Sequence, residues 1–127
     1  MTALSLLLVF KILITTVLTV VPFLLLSERR LAPLLGVTGG GTLFRLYGVA
    51  ILALLVGYSS GFWTIAAGRF PWGVVAMGIV SNGGAALVLF ASGAWRRARF
   101  LSFFVAVVTV ALAAAALYSR EALMPLW

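Results

Sequence analysis

The sequence predicts an all-α protein that crosses a membrane as a bundle of four helices, and three observations carry that prediction. Of the 127 residues, 65% are hydrophobic and only 9% are charged, with a mean hydropathy of +1.26. The apolar residues gather into four runs, residues 4–26, 46–68, 72–92 and 100–118. Each is close to the ~20 residues needed to cross roughly 30 Å of hydrocarbon. The charges collect at the ends of those runs, nine Lys or Arg against two acids for a net charge of +7. So few charged side chains cannot clothe a soluble domain, and four spans use up the length. Residues 1–127 therefore read as a single integral membrane domain.

The first run is broken only by Lys11. It has no basic leading segment, exceeds the usual apolar stretch of a signal peptide and shows no small-residue cleavage site, so it is expected to be retained as a span. Ser27, Glu28, Arg29 and Arg30 end it. Residues 31–43 hold Pro33 and the glycines Gly39, Gly40 and Gly41, which predict an apolar loop at the interface rather than a continued helix. Arg45 opens the second run, and Arg69, Phe70 and Pro71 make a short turn into the third. Residues 93–99 form a basic loop before the fourth run, and residues 119–127 a short tail.

Counting cations orients the chain. The loops after the first and third runs share one side and carry Arg29, Arg30, Arg45, Arg96, Arg97 and Arg99; the other side has only Arg69 and Arg120 besides the amino terminus. The positive-inside rule then places both termini on the non-cytoplasmic side and those six arginines on the cytoplasmic one, against lipid head groups. Phe62, Trp63, Phe70, Trp72, Tyr118 and Trp127 fit an outer aromatic belt, and Phe44, Tyr47, Trp95 and Phe100 an inner one. Eight of the nine cations are arginine, a usage associated with GC-rich bacterial genomes. The expected location is the bacterial inner membrane, crossed several times.

Lipid tails solvate leucine well, so helices in a membrane associate through close contact and polar groups. Gly57 and Gly61 in the second run, with Gly78, Gly83 and Gly84 in the third, mark the expected packing faces. The spacing of Gly57 and Gly61 more often packs helices within one bundle than between chains.

Polar residues inside the runs suggest a site. Lys11 lies roughly 10 Å from the outer end of the first helix at 1.5 Å per residue. Its stem is long enough to snorkel back to the interface, or its amine stays in the membrane as part of a site. Thr15 and Thr19 follow on the same helical face. Tyr58, Ser59 and Ser60 fall in the outer half of the second run, and Ser81 and Asn82 near the middle of the third. With the derived topology these depths match. The groups either hold the helices together or form an outward-facing polar pocket in which Lys11 faces an anionic or carbonyl-bearing ligand. No cofactor is identifiable from the residues; a lipid, quinone or pigment is the kind of molecule such a pocket would take.

Other chemistry is poorly supplied. Without Cys or His the chain lacks disulfides, thiol redox chemistry, His-ligated haem and the usual metal ligands. Neither Glu28 nor Glu121 lies within a run, and pumps and exchangers usually need intramembrane carboxylates. A Lys–Ser dyad needs hydrogen-bond reach and an oxyanion hole, for which the sequence gives no sign. The expectation is not an enzyme. Basic residues clustered at run ends, Lys11 apart, also argue against nucleic acid as a partner.

Within residues 44–90 the chain reads RLYGVAILALLVGY, then a short aromatic turn and a glycine-rich third run. This resembles the small four-helix bacterial membrane proteins called DoxX-like, over about a third of the chain. The resemblance implies a four-helix membrane fold and, since some members are described as accessory subunits of redox complexes, partner proteins in the membrane. It carries over no site residue, and Lys11 has no counterpart in the family's pattern.

Two functions are therefore expected. The first is a non-catalytic accessory or structural subunit, with membrane lipids and other membrane subunits as neighbours. The alternative is a binding or carrier protein for a small molecule, lipid or quinone, using the pocket around Lys11.

Overall fold

The computed structural model describes residues 1–35 and 40–126, and these are helical apart from turns and one isolated bridge. Helix α1 spans Ala3–Leu25, α2 Glu28–Leu35, α3 Gly41–Ala66, α4 Trp72–Ala91, α5 Arg99–Leu117 and α6 Ser119–Ala122. Four of them, α1, α3, α4 and α5, are long and apolar enough to cross a membrane.

Thr2 opens α1 as a reciprocal cap. Its hydroxyl accepts from the Ser5 N–H at 3.1 Å while the Ser5 hydroxyl accepts from the Thr2 N–H at 2.9 Å. Midway, Thr16–Val20 widens into a π-helical turn. Pro22 follows at once, and the register shift falls where the helix must do without a proline N–H.

Helix α2 corrects the loop expected from residue 31 onward. Pro33 lies inside it, and what holds the segment is Leu31, buried between Phe23 and Phe44. Tertiary burial of one leucine outweighs the local signal. Gly39 and the rest of 36–39 lie outside the described residues. Helix α3 also starts earlier than hydropathy indicated. Gly41 begins it, and its N–H donates to the Glu28 carboxylate at 3.0 Å, an anion at the positive end of a helix. Arg45 sits within α3 rather than before it, and its guanidinium donates to the Phe23 carbonyl at 3.2 Å, satisfying a group at the end of α1.

At the far end of α3, Gly68 takes φ +69° and closes a Schellman turn. The Arg69 N–H reaches the Thr64 carbonyl at 3.0 Å and the Gly68 N–H reaches that of Ile65 at 2.9 Å. After α5, the short α6 brings the tail back across the start of α1: Thr2 pairs with Pro125, and the Leu126 N–H donates to the Met1 carbonyl at 3.0 Å. Both termini thus share one end, the terminal end, and the connections that carry Arg29, Arg30, Arg96 and Arg97 occupy the other, the arginine end.

The main core lies toward the terminal end, where all four long helices contribute to a cluster including Leu4, Leu8, Tyr58, Val75, Val108 and Leu112. Gly78 is its tightest point: a Cβ there would sit 2.5 Å from Leu112. Gly57 meets Met77, Gly61 meets Leu8 and Val74, and Gly83 meets Thr109. These contacts are within the bundle. Gly84 departs from the expected packing role, since nothing lies within 4 Å of a Cβ built on it.

Outward faces are apolar, with Trp63 and Leu117 each 82% exposed and Val80 74%. Large apolar side chains over every flank call for a lipid surround, so this is the fold of a multi-pass membrane protein. Trp63, Trp72 and Tyr118 are exposed toward the terminal end, and Tyr47, Trp95 and Phe100 toward the arginine end. Phe44 is a correction: it is buried, its ring 5.7 Å from that of Phe23. Trp127 lies outside the described residues.

Candidate functional site

A cavity of about 630 Å³ runs down the middle of the bundle, and its upper end is polar. Lys11 and Thr15 reach it from α1, Tyr58 from α3, and Ser81 and Asn82 from α4. Spacing explains the convergence. Lys11 and Thr15 are one helical turn apart on α1, and both face the core side occupied higher up by Leu4 and Leu8.

Lys11 does not snorkel. It is 3% exposed, and its Nζ lies 3.6 Å from the centroid of the Tyr58 ring. A desolvated cation over an aromatic face gains about 2 kcal/mol, against the ~2.5–3.5 kcal/mol that a Lys costs at the middle of a span. The ring therefore offsets most of the cost but leaves the three N–H donors unused. Among the described residues no ion pair forms, and Lys11 donates to no protein acceptor.

The other polar groups are tied to one another. The hydroxyls of Tyr58 and Ser81 share a hydrogen bond at 2.8 Å. The Asn82 amide nitrogen donates to the Gly78 carbonyl at 2.7 Å and approaches Ser81 Oγ at 3.3 Å and the Tyr58 hydroxyl at 3.5 Å. This network links α3 to α4 and holds the Tyr58 ring under the amine. Thr15 Oγ1 is buried with no hydrogen-bond partner among the described residues. An unmet buried hydroxyl costs about 1–3 kcal/mol, so the site is left with one cationic donor group and one hydroxyl to satisfy.

Ser59 does not belong to the site. Its hydroxyl turns back to the Leu55 carbonyl of its own helix at 3.0 Å, and Ser60 likewise bonds Gly57. The roughly 100° step from Tyr58 carries Ser59 out of the cavity lining, to which Tyr58 belongs and Ser59 does not.

The direction of opening also differs from expectation. Toward the termini the bundle is filled by Leu4, Leu8, Val75 and Leu112. The cavity instead extends toward the arginine end, where Phe23, Phe44, Leu89 and Leu101 line it. Leu43 and Tyr47 of α3 and Gly84 and Val88 of α4 line it too and stand exposed, so it opens sideways between α3 and α4. The residues of these apolar walls, and the space above Gly84, are not identifiable from sequence. No residue type marks a cavity wall that is as greasy as the lipid-facing surface. The six arginines, Arg29, Arg30, Arg45, Arg96, Arg97 and Arg99, are all exposed at the arginine end, outside this cavity.

Compared with protein-family models, curated proteins and solved structures, the chain matches none.

Proposed function

We propose that the protein binds a small apolar amphiphile, with the polar head of that molecule at Lys11 and its hydrocarbon body along the cavity. The observation that carries this reading is the buried Lys11 amine over Tyr58 at the head of a roughly 630 Å³ space whose remaining walls are almost wholly apolar. That volume is of the size that takes a ligand of modest mass, and apolar walls with a few convergent polar groups are the usual make-up of such sites. An anionic or carbonyl-bearing head fits, because it would accept from Lys11 and from Thr15. A fatty or isoprenoid acid, a quinone or a pigment all belong to that class. The lateral opening between α3 and α4 supports entry from the bilayer rather than from water.

The role is binding or carriage rather than catalysis. Gly57, Gly61, Gly78 and Gly83 meet side chains of this same chain, so they lend no support to the rival role as an accessory subunit. Location in a bacterial inner membrane, with both termini outside the cytoplasm and the arginine end within it, belongs to the same proposal, as does kinship with the DoxX-like proteins.

Native mass spectrometry from mild detergent provides the test. Wild-type protein is expected to retain an added long-chain carboxylic acid or quinone, and Lys11→Met to lose retention by about tenfold or more while keeping its helical content. Equal retention by the two proteins would remove Lys11 from the site and the proposal with it.

A further inference from the structure

A second cavity, about 440 Å³, lies between the lower half of α1 and the start of α5. Thr19, Phe23, Leu101 and Phe104 line both cavities and form the wall between them. Its apolar side is made by Val17 and Leu18 of the π-helical turn, by Pro22 and by Phe100; Arg96, Arg97 and Arg99 make its rim. Val17, Leu18 and Phe100 are exposed to the surround as well, so the groove is open along the side of the bundle.

The three guanidinium groups have no counter-ion among the described residues. Glu28, the acid at this end, is engaged with the Gly41 N–H, and Glu121 is at the other. Arg99 Nε donates to the Arg96 carbonyl at 3.3 Å and Arg96 lies 5.8 Å from the Trp95 ring, contacts that steady the loop while leaving most guanidinium donors unspent. Ala98, which precedes α5, offers no side-chain cap, so the positive end of that helix adds to the same field.

We infer that this groove holds a single anionic phospholipid, its phosphodiester against Arg97 and Arg99 and one acyl chain along Val17, Leu18 and Phe100. Guanidinium forks match phosphate oxygens in pairs, which gives a fixed place rather than a diffuse attraction. The apolar wall distinguishes the occupant from free phosphate, which has nothing to lay there. The positive rim distinguishes it from a zwitterionic lipid, whose ammonium would be brought against three arginines. The π-helical turn opposite supplies the shape: its widened register lets consecutive residues Val17, Leu18 and Thr19 line one groove.

Native mass spectrometry of the full chain, with phosphatidylglycerol and phosphatidylcholine offered together, tests the site. Wild-type protein is expected to keep one phosphatidylglycerol, and Arg97→Gln/Arg99→Gln to keep about tenfold less. Arg29→Gln/Arg30→Gln, which removes the same charge from the same end but outside the groove, is expected to behave as wild type. Melting temperature, and retention of the ligand at Lys11, should be unchanged in both variants, which separates this site from the central one. Equal losses in the two double variants would mean diffuse electrostatics and overturn the site. So would equal retention of phosphatidylcholine, or displacement of the lipid by inorganic phosphate.

Discussion

In the half of the bundle that carries the termini, Leu4, Leu8, Val75 and Leu112 are at most 1% exposed. In the arginine half, residues of similar size on the same kind of helix, Leu43 and Val88, are 62% and 65% exposed and face a cavity as well as the surround. The same contrast appears in two glycines six positions apart on α4. Gly78 lets Leu112 press onto the helix backbone, whereas Gly84 leaves its space open. Hydrophobicity does not distinguish the halves. Closeness of approach does, and closeness in lipid is set by small residues and polar ties rather than by apolar area. Gly78 in the terminal half gives contact and Gly84 gives volume, while Gly48, also in the arginine half, draws Phe23 and Leu24 to 3.0 Å of a Cβ built on it, at the wall of the cavity's far end. Lys11, Tyr58 and Asn82 sit at the boundary.

The sharpest way to break that contrast is to truncate one residue in each half. Leu112→Ala is expected to cost about 2–5 kcal/mol of stability, as for other fully buried leucines. Val88→Ala should stay within about 0.5 kcal/mol, as for exposed positions. Reversible unfolding in mixed micelles reads both, and similar costs would mean that the halves are packed alike. Next in size is Gly84→Phe, which directs a ring into the cavity with no atom within 4 Å of its Cβ to resist. Ligand retention should fall about tenfold, equivalent to roughly 1.4 kcal/mol, with the melting temperature unchanged; unchanged retention would show that the open volume is not where the ligand lies. The last effect, at the boundary, is expected to lie between those of Leu112→Ala and Val88→Ala. Asn82→Leu removes the 3.5 Å approach to the Tyr58 hydroxyl across to α3, together with the bonds to Gly78 and Ser81 inside α4, and should cost about 0.6 kcal/mol by the same unfolding measurement, the average for polar ties between membrane helices.

How much of this was legible in the sequence follows the same division. Hydropathy located all four long helices, because apolar runs of that length have few alternatives. It misplaced the start of α3, since Arg45 looks like a loop residue until Phe23 is seen to offer it a carbonyl. It missed α2, where Pro33 argued for a turn and the burial of Leu31 decided otherwise. Depth along the axis brought Lys11, Thr15, Tyr58, Ser81 and Asn82 to one level, because rise per residue is a fixed quantity. Angle around the axis was harder: Ser59 shares that level yet points away, bonded to Leu55. The end at which the cavity opens was not legible, because it depends on how far apart the helices stand, which is a property of pairs of helices and not of any one segment.

Photo-crosslinking in membranes with a long-chain fatty acid, carrying a diazirine on its tail, addresses the cavity and its orientation together. Label is expected on Phe23, Leu54, Leu89 and Phe104, the walls below Lys11, and is expected to disappear in Lys11→Met. Label confined to outward faces such as Trp63 and Leu117, or unchanged by Lys11→Met, would contradict a binding cavity headed by Lys11.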